Sequence, residues 1–280
     1  MTSVRDREKL SIAVYVINLE DSKERLDLIR SQLDSLGIAF ARVPAFDGRK
    51  LDLSKVEDYD ADRSMRYMGR ELVGGEIGCY RSHLSAAEHF LASDACYALV
   101  LEDDAHLLCN PLELLAKALP DLEMIDPDWL LMNIGNRKLK YSSSLSRYNV
   151  DARNYVLAAA HYFPMGTRAI VWSRKGARNF VAKHRTIFAP IDNYFRFWLT
   201  RQGHGYSFWP APITATDAKS QIMASDEGER DKYGRKWYHS FAKKKRLLEE
   251  KIIALRHKYL SKLKLKSDNT KRAWSADPNE

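Results

Sequence analysis

The chain has 280 residues, 45% hydrophobic and 11% aromatic, which suffices for one large α/β domain or two small ones and excludes a disordered chain. Its formal charge of +8 is unevenly placed: residues 232–272 carry 15 Lys and Arg against three acids, net +12, whereas residues 1–231 carry 30 against 32, net −2. The start, Met1 to Lys9, is polar and no apolar run reaches spanning length, so the expectation is a protein made and kept in the cytoplasm. Cys79, Cys96 and Cys109 are odd in number, lack metal-ligand spacing and read as ordinary reduced residues.

Ile12 to Leu19 is an apolar run that reads as a first, central strand. Asp21 or Ser22 can cap the next helix, whose stripe is Leu26, Ile29, Leu33 and Leu36 and which Gly37 closes. Ile38 to Ala45 reads as a second strand, so the chain opens as a βαβ unit. Asn18 lies at the carboxyl end of strand one. Arg25, in the first turns of the helix, can reach a phosphate there or form a surface ion pair with Asp21 or Glu24. Asp47, in the turn Phe46-Asp47-Gly48, could accept from a ribose hydroxyl or merely shape the turn.

Residues 49–73 are polar and mixed and carry no assignable element. From Gly74 and Gly75 a loop-to-helix junction leads into a face formed by Ile77, Tyr80, Leu84, Ala87 and Phe90. Gly78 inside that helix costs about 1 kcal/mol relative to Ala, which points to close approach of another backbone or a ligand. Ser82 and His83 fall on adjacent faces; a helix histidine is more often structural than catalytic.

Ala98-Leu99-Val100-Leu101 then runs straight into Glu102-Asp103-Asp104. Such a run reads as a strand buried on both faces, and ligands of open α/β sheets sit beyond the carboxyl ends of strands. Three adjacent carboxylates repel one another and are costly to desolvate unless a cation shares the site. In extended backbone Glu102 and Asp104 point to one side and Asp103 to the other, leaving an acid-x-acid pair able to hold a hard divalent ion. The plainer reading is a solvated turn.

Beyond Asn110-Pro111 a helix is expected over 112–119 and a strand over 128–134. Residues 135–155 are polar and rich in Ser, Arg and Tyr, as an active-site loop or lid would be. Gly166 to Ser173 reads as a strand, Ser173 as the cap of a helix to Lys183, and Asn193 to Thr200 as an aromatic-rich helix. Asp192 just before it is either a cap worth about 1 kcal/mol or a carboxylate positioned for proton abstraction. Tyr206 to Pro210 reads as the last strand and 214–236 as a polar connection. From Trp237 to Lys266, Phe241, Leu248, Ile252, Leu255, Tyr259 and Leu263 form one stripe among lysines and arginines. This basic amphipathic helix suits an anionic membrane surface, a partner helix or a nucleic-acid arm, and the membrane is preferred.

The ordered blocks Val16-Ile17-Asn18-Leu19 with Arg25, Ala45-Phe46-Asp47-Gly48, Gly75-Glu76-Ile77-Gly78-Cys79-Tyr80-Arg81-Ser82-His83, Tyr97 to Ala105, and Gly166 to Ala169 with Pro190-Ile191-Asp192 resemble glycosyltransferase family 25. That family includes bacterial lipooligosaccharide galactosyltransferases and animal collagen galactosyltransferases, and the likeness covers roughly residues 12–212. It implies a GT-A-like α/β fold, a mixed and mostly parallel sheet flanked by helices, over 1–231, with 232–280 as a basic tail. It implies a UDP-sugar donor with UDP-galactose foremost, Mn²⁺ or Mg²⁺, inversion at the anomeric carbon, and a glycan or glycolipid acceptor such as lipopolysaccharide core. Glu102 and Asp104 would hold the metal. Asn18, Leu19, Arg25 and Asp47 would lie around the nucleotide, with Gly78, Ser82, His83 and Asp103 at the same donor site. Asp192 would be the base, ahead of Glu76 and Asp217. The expected location is the inner face of the cytoplasmic membrane, with no nucleic-acid partner. Two other classes fit parts of the sequence: a metal-dependent phosphoesterase or nucleotidyltransferase, and a nucleic-acid-associated protein bound through its tail.

Overall fold

The computed structural model of the chain describes residues 10–183, 185–215 and 239–274. Asp217 and the 231/232 domain boundary lie outside the described residues. The chain opens as β1 (Ile12–Asn18), α1 (Lys23–Ser35) and β2 (Ala41–Pro44), with β1 and β2 parallel and Tyr15 opposite Ala41. Gly37, at φ +66°, releases the chain from α1 in the left-handed region that glycine tolerates. Ser22 occupies the N-cap position of α1 without capping through its side chain.

The expected helix and strand follow as α3 (Gly74–Ala92) and β3 (Tyr97–Glu102), preceded by a helix the sequence did not reveal, α2 (Ala61–Met68). Asp60 caps α2 by accepting from the Arg63 amide (2.8 Å), and Gly69 ends it at φ +74°. After β3 a tight turn at Asp103 and Asp104 leads the chain out of the main sheet into β4 (Ala105–Leu107). Then come α4 (Pro111–Ile125), β5 (Leu131–Asn133), β6 (Lys140–Val150), β7 (Arg153–Tyr162), β8 (Ala169–Ser173), α5 (Arg174–Lys183), α6 (Ile191–Gln202), β9 (Gly205–Trp209) and β10 (Ile213–Ala215). Asn110 caps α4, which runs on through Pro120 past the end the sequence suggested. Ser173 does cap α5, accepting from the Gly176 amide (3.0 Å).

Eight strands form one mixed sheet in the order β2-β1-β3-β8-β5-β9-β7-β6. Pairing is parallel within β2-β1-β3 and between β5 and β9, and antiparallel at the other junctions. β1 is one strand in from an edge rather than central, yet it is buried because helices cover both of its faces. Val14 and Val16 pack with Ile29 and Leu33 of α1, while Tyr15 and Ile17 pack with Ile77 and Tyr80 of α3. β3 divides the same way, with Leu99 and Leu101 on one side and Ala98 and Val100 on the other. Each fully buried Leu or Val contributes about 1.5–3 kcal/mol, so this pair of strands is firmly seated and its carboxyl end is a rigid platform. Beyond α3 an aromatic layer ties in α5 and α6: Trp172 stacks on Phe180 at 5.3 Å, and Phe195 and Trp198 close around them.

Residues 135–155 are not a lid. Most of them build a long β6–β7 hairpin at the sheet edge, turning at Asp151 and Ala152, both at positive φ. The turn lacks glycine and the edge strand is half-solvated, so neither its punctuation nor its hydrophobicity announced a strand. β9 is not the last strand either. β10 follows it and pairs antiparallel with β4, bringing Ala215 opposite Ala105, directly after the acidic turn.

The C-terminal helix, α7 (His239–Trp274), lies against α2, α6, β6 and β7. It packs through buried Arg246, Glu250 and Ala254, while Leu248, Ile252, Leu255, Tyr259 and Leu263 are exposed. The stripe seen in the sequence therefore faces away from the domain from Leu248 to Leu263; Phe241 lies outside the described side chains.

His161 of β7 reports on this docking. It sits half-buried between Ser143 (2.8 Å) and Ser261 of α7 (3.4 Å), and burial, reinforced by His257 and Lys258, lowers its pKa from 6.5 to about 4. The fold thus holds the neutral ring. Its contribution is full above pH 6.5 and is lost as pH falls from there toward 4, where the unfolded chain takes a proton that the folded chain does not. Hydrogen exchange of α7 amides is expected to accelerate over that window in the wild type and to be flatter in His161→Gln. Exchange independent of pH in the wild type, after correction for the intrinsic rate, would refute the effect.

Candidate active site

A cavity of about 430 Å³ opens at the carboxyl ends of β1 and β3, where ligands of such sheets bind. It brings together Asn18, Leu19, Arg25, Asp47, Ser82, His83, Glu102, Asp103 and Asp104 from four separate segments. Of the residues expected at a donor site only Gly78 does not line it. A Cβ at Gly78 would meet the Phe46 carbonyl oxygen at 2.4 Å, and one at Gly48 would meet the Gly74 carbonyl at 1.8 Å. These glycines let α3 press its first turns against the loop after β2. Ser82 fastens the seam, accepting from the Phe46 amide (2.8 Å) and donating to the Gly78 carbonyl (2.7 Å).

The three carboxylates of the floor have separate partners. Asp103 turns toward α1, where Arg25 pairs with it and Asn18 Nδ2 donates to it (2.7 Å). Arg25 is therefore part of a largely buried ion pair, with 18% of its own side chain still exposed, and not of one with Asp21 or Glu24 at the surface. Asn18 is in turn oriented by Arg42, whose Nε donates to its Oδ1 (3.0 Å). Glu102 and Asp104 turn instead toward the segment before β8. Thr167 donates to Glu102 (2.6 Å), and Arg168 meets Asp104 through Nε (3.1 Å) and Nη2 (3.3 Å). His83 Nε2 lies 3.1 Å from Glu102, and its buried Nδ1 has no partner among the described residues.

The electrostatics follow from these partners. Burial would raise the Glu102 pKa, but His83 and Thr167 hold it below the ordinary range. Burial raises Asp103, with Arg25 and Asn18 opposing, and burial together with the Glu102 charge raises Asp104. Like charge on Glu102 and Asp104 thus disfavours ionising both, which a shared cation would relieve. Cys79, taken from the sequence as ordinary, belongs here too: its Sγ, a ring nitrogen of His83 and a Glu102 oxygen lie within 4.8 Å of one another. Four residues apart on α3, Cys79 and His83 share one helix face, and that spacing was the signal available. This donor group centres on Glu102 with Cys79 and His83, while Asp104 stands outside it with both oxygens on Arg168, so a hard ion shared by Glu102 and Asp104 would have to displace that arginine.

Asp47 at the cavity mouth caps a short 3₁₀ turn and grips Arg49 through Nε (2.8 Å) and Nη2 (2.7 Å), and Arg49 also reaches Asp21 (2.6 Å). This exposed clamp, and Arg42, were not foreseen, since surface arginines carry no local signal.

A second cavity of about 610 Å³ adjoins the first and shares Gly75, Cys79 and Glu102 with it. Asp192 lines this one. It is not the cap of α6, a position held by Pro190; it stands in the first turn, with its Oδ1 accepting from the Asn193 amide (2.6 Å) and Nδ2 (3.0 Å). Burial raises its pKa against those bonds and the Arg196 charge. Glu76, the other described candidate base, accepts from Arg70 through both oxygens (2.6 and 2.8 Å) and from the Val73 amide (3.2 Å).

Residues 11–195 match the family model described as "Glycosyltransferase family 25 (LPS biosynthesis protein)". The chain is 29% identical over 194 residues to a glycosyltransferase 25 family member of Aedes aegypti, covering 67% of this chain and 31% of that one. It is 27% identical over 186 residues to human procollagen galactosyltransferase 2, covering 65% and 29%. It is 26% identical over 219 residues to the human inactive glycosyltransferase 25 family member 3, covering 75% and 36%. The chain thus spans about a third of the length of these curated relatives.

Proposed function

The chain belongs to glycosyltransferase family 25, and from that premise we propose that it is an inverting, metal-dependent hexosyltransferase of the GT-A type. The donor is a UDP-sugar, UDP-galactose first, and the acceptor is a hydroxyl of a surface glycan such as lipopolysaccharide core. The observation that carries this reading is the meeting of two cavities at Glu102: one floored by carboxylates at the strand ends, the other holding Asp192. A donor and an acceptor can then face each other across one wall. A lone nucleotide hydrolase has no need of the second space.

The chemistry assigns work to particular side chains. The nucleotide lies over Asn18 and Leu19, with Asp47 at the mouth and Arg25 holding the Asp103 carboxyl in place through their ion pair. A bound Mn²⁺ or Mg²⁺, held by Glu102 and Asp104, would act as a Lewis acid on the diphosphate leaving group. The acceptor oxygen attacks C1 from the face opposite the departing phosphate. The C1–O bond to phosphate breaks with its electron pair leaving on UDP, and the hydroxyl proton passes to Asp192. A raised pKa suits Asp192 to that task, because a base works best when its pKa approaches the operating pH. A screen of UDP-sugars with Mn²⁺, read as UDP release with and without glycan acceptors, tests the reading. Cleavage to UMP, or no turnover of any UDP-sugar, would contradict it.

We assign the outward stripe of α7 to an anionic membrane surface on the inner face of the cytoplasmic membrane. Leu248, Ile252, Leu255 and Tyr259 are exposed beside Lys243, Lys244, Lys245, Arg256 and Lys262. Among the described residues no helix is long and apolar enough to cross a membrane. Ile252→Glu with Leu255→Glu in the full chain is expected to weaken binding to anionic vesicles about tenfold or more while UDP affinity holds. Vesicle binding equal to wild type would remove the assignment.

A further inference from the structure

The second cavity is lined by four arginines and Lys243 against three carboxylates, Glu76, Glu102 and Asp192. Two of its arginines are balanced locally: Arg70 by Glu76 and Arg168 by Asp104. Arg196 of α6 and Arg246 of α7 are in no direct ion pair among the described residues: Arg196 acts on Asp192, one turn back on α6, only at a distance, and Arg246 has Glu250 one turn further on α7. Arg196 donates through Nε to the Phe163 carbonyl (2.8 Å) and lies 4.3 Å from the Tyr162 ring centroid. Arg246 is only 8% exposed, sits 4.8 Å over the Tyr67 ring and touches the Met68 sulfur. Neither has a carboxylate within ion-pairing distance among the described residues. Glu250, one turn beyond Arg246, is bound by the Tyr67 hydroxyl (2.7 Å) and faces Arg201 (4.0 Å). Exposed Lys243 adds a third cation at the rim of the same cavity.

A half-buried or buried guanidinium without a carboxylate in direct contact is costly, and stacking on an aromatic ring offsets only part of that cost. The missing partner is supplied by whatever enters the cavity. Guanidinium groups favour planar or tetrahedral oxyanions, which they bind through paired hydrogen bonds. Resting on the transferase reading, we propose that the acceptor is an anionic sugar, bearing a phosphate or carboxylate that Arg196 and Arg246 bind while its free hydroxyl faces Asp192. The two arginines come from different helices, so the docking of α7 completes the acceptor site as well as exposing its own stripe.

The test uses the full chain saturated with UDP and Mn²⁺, so that no added phosphate competes at the donor cavity. Glucose, glucose 6-phosphate, glucuronate and inorganic phosphate are titrated by NMR into wild type, Arg196→Gln, Arg246→Gln and Lys243→Gln. Glucose 6-phosphate or glucuronate is expected to bind at least about tenfold more tightly than glucose, and to lose about tenfold in each arginine variant, as expected for a charged hydrogen bond. The exposed Lys243 variant, which leaves the packing intact, loses less. UDP affinity of the wild type and variants reports the donor site and the fold separately, so failure of the transferase reading appears as absent UDP binding in the wild type. Equal binding of glucose and both anionic sugars, unchanged affinity in both arginine variants that still bind UDP, or inorganic phosphate binding as tightly as glucose 6-phosphate would overturn the proposal.

Discussion

Asp192→Asn is expected to lower sugar transfer by about 10²–10⁴-fold, the usual contribution of a positioned general base, while UDP affinity stays within error of wild type. The separation follows from geometry: Asp192 lines the second cavity and shares no wall with Asn18 or Asp103. The change is nearly isosteric, so the bond from the Asn193 amide can persist and α6 should keep its start. The pH profile adds an independent readout. Burial raises the Asp192 pKa, and a base must be unprotonated to act, so the rate should fall with acidification at a pH above the ordinary carboxylate range. The carboxamide of the variant cannot titrate, so that limb should vanish with the rate. A variant that keeps both the rate and the limb would assign the proton to another group.

Asp104→Asn is expected to abolish Mn²⁺-dependent donor turnover, by about 10³-fold if the metal contributes the several kcal/mol typical of Lewis-acid stabilisation. Asparagine is the better choice than alanine. Asp104 is buried and meets Arg168 through both oxygens, and removing a carboxylate from such a pair leaves a stranded charge that can unsettle the fold. With the amide in place Arg168 loses its counter-ion but keeps an acceptor. Glu102→Gln should match the loss, whereas Cys79→Ser should not if the ion is held by hard oxygens. The reverse ranking, with Cys79 essential and Asp104 dispensable, would move the metal to the cluster of Cys79, His83 and Glu102.

Much of the site could be read from the residues because its parts are local. The apolar run that ends in three acids, the glycines that permit helix-to-loop contact, and the βαβ opening each carry their own stereochemical signal. Glu102, Asp103 and Asp104 do find different partners, Arg25 for the middle residue and the Thr167-Arg168 segment for its neighbours, although Asp103 and Asp104 stand in a turn and not in extended backbone. What could not be read was pairing at long range. Nothing near Arg25 announces that Asp103, four elements further along the chain, is its partner, and nothing in residues 135–155 distinguishes a half-solvated edge hairpin from a mobile loop. The tail shows the same limit. Periodicity identified an amphipathic helix in 237–266 but not which face is covered. The domain takes the face with Arg246, Glu250 and Ala254 and leaves the leucines outside, because the charged residues find Tyr67, Met68 and Arg201 there.

The central claim is that the acidic floor at the ends of β1 and β3 receives a nucleoside diphosphate together with a divalent cation. Calorimetric titration of UDP into the full chain, with Mn²⁺ and then with EDTA, tests it most directly. Saturable binding that needs Mn²⁺ and disappears in Asp104→Asn is the expected result. UDP binding of equal strength in EDTA, or none in either condition, would contradict it.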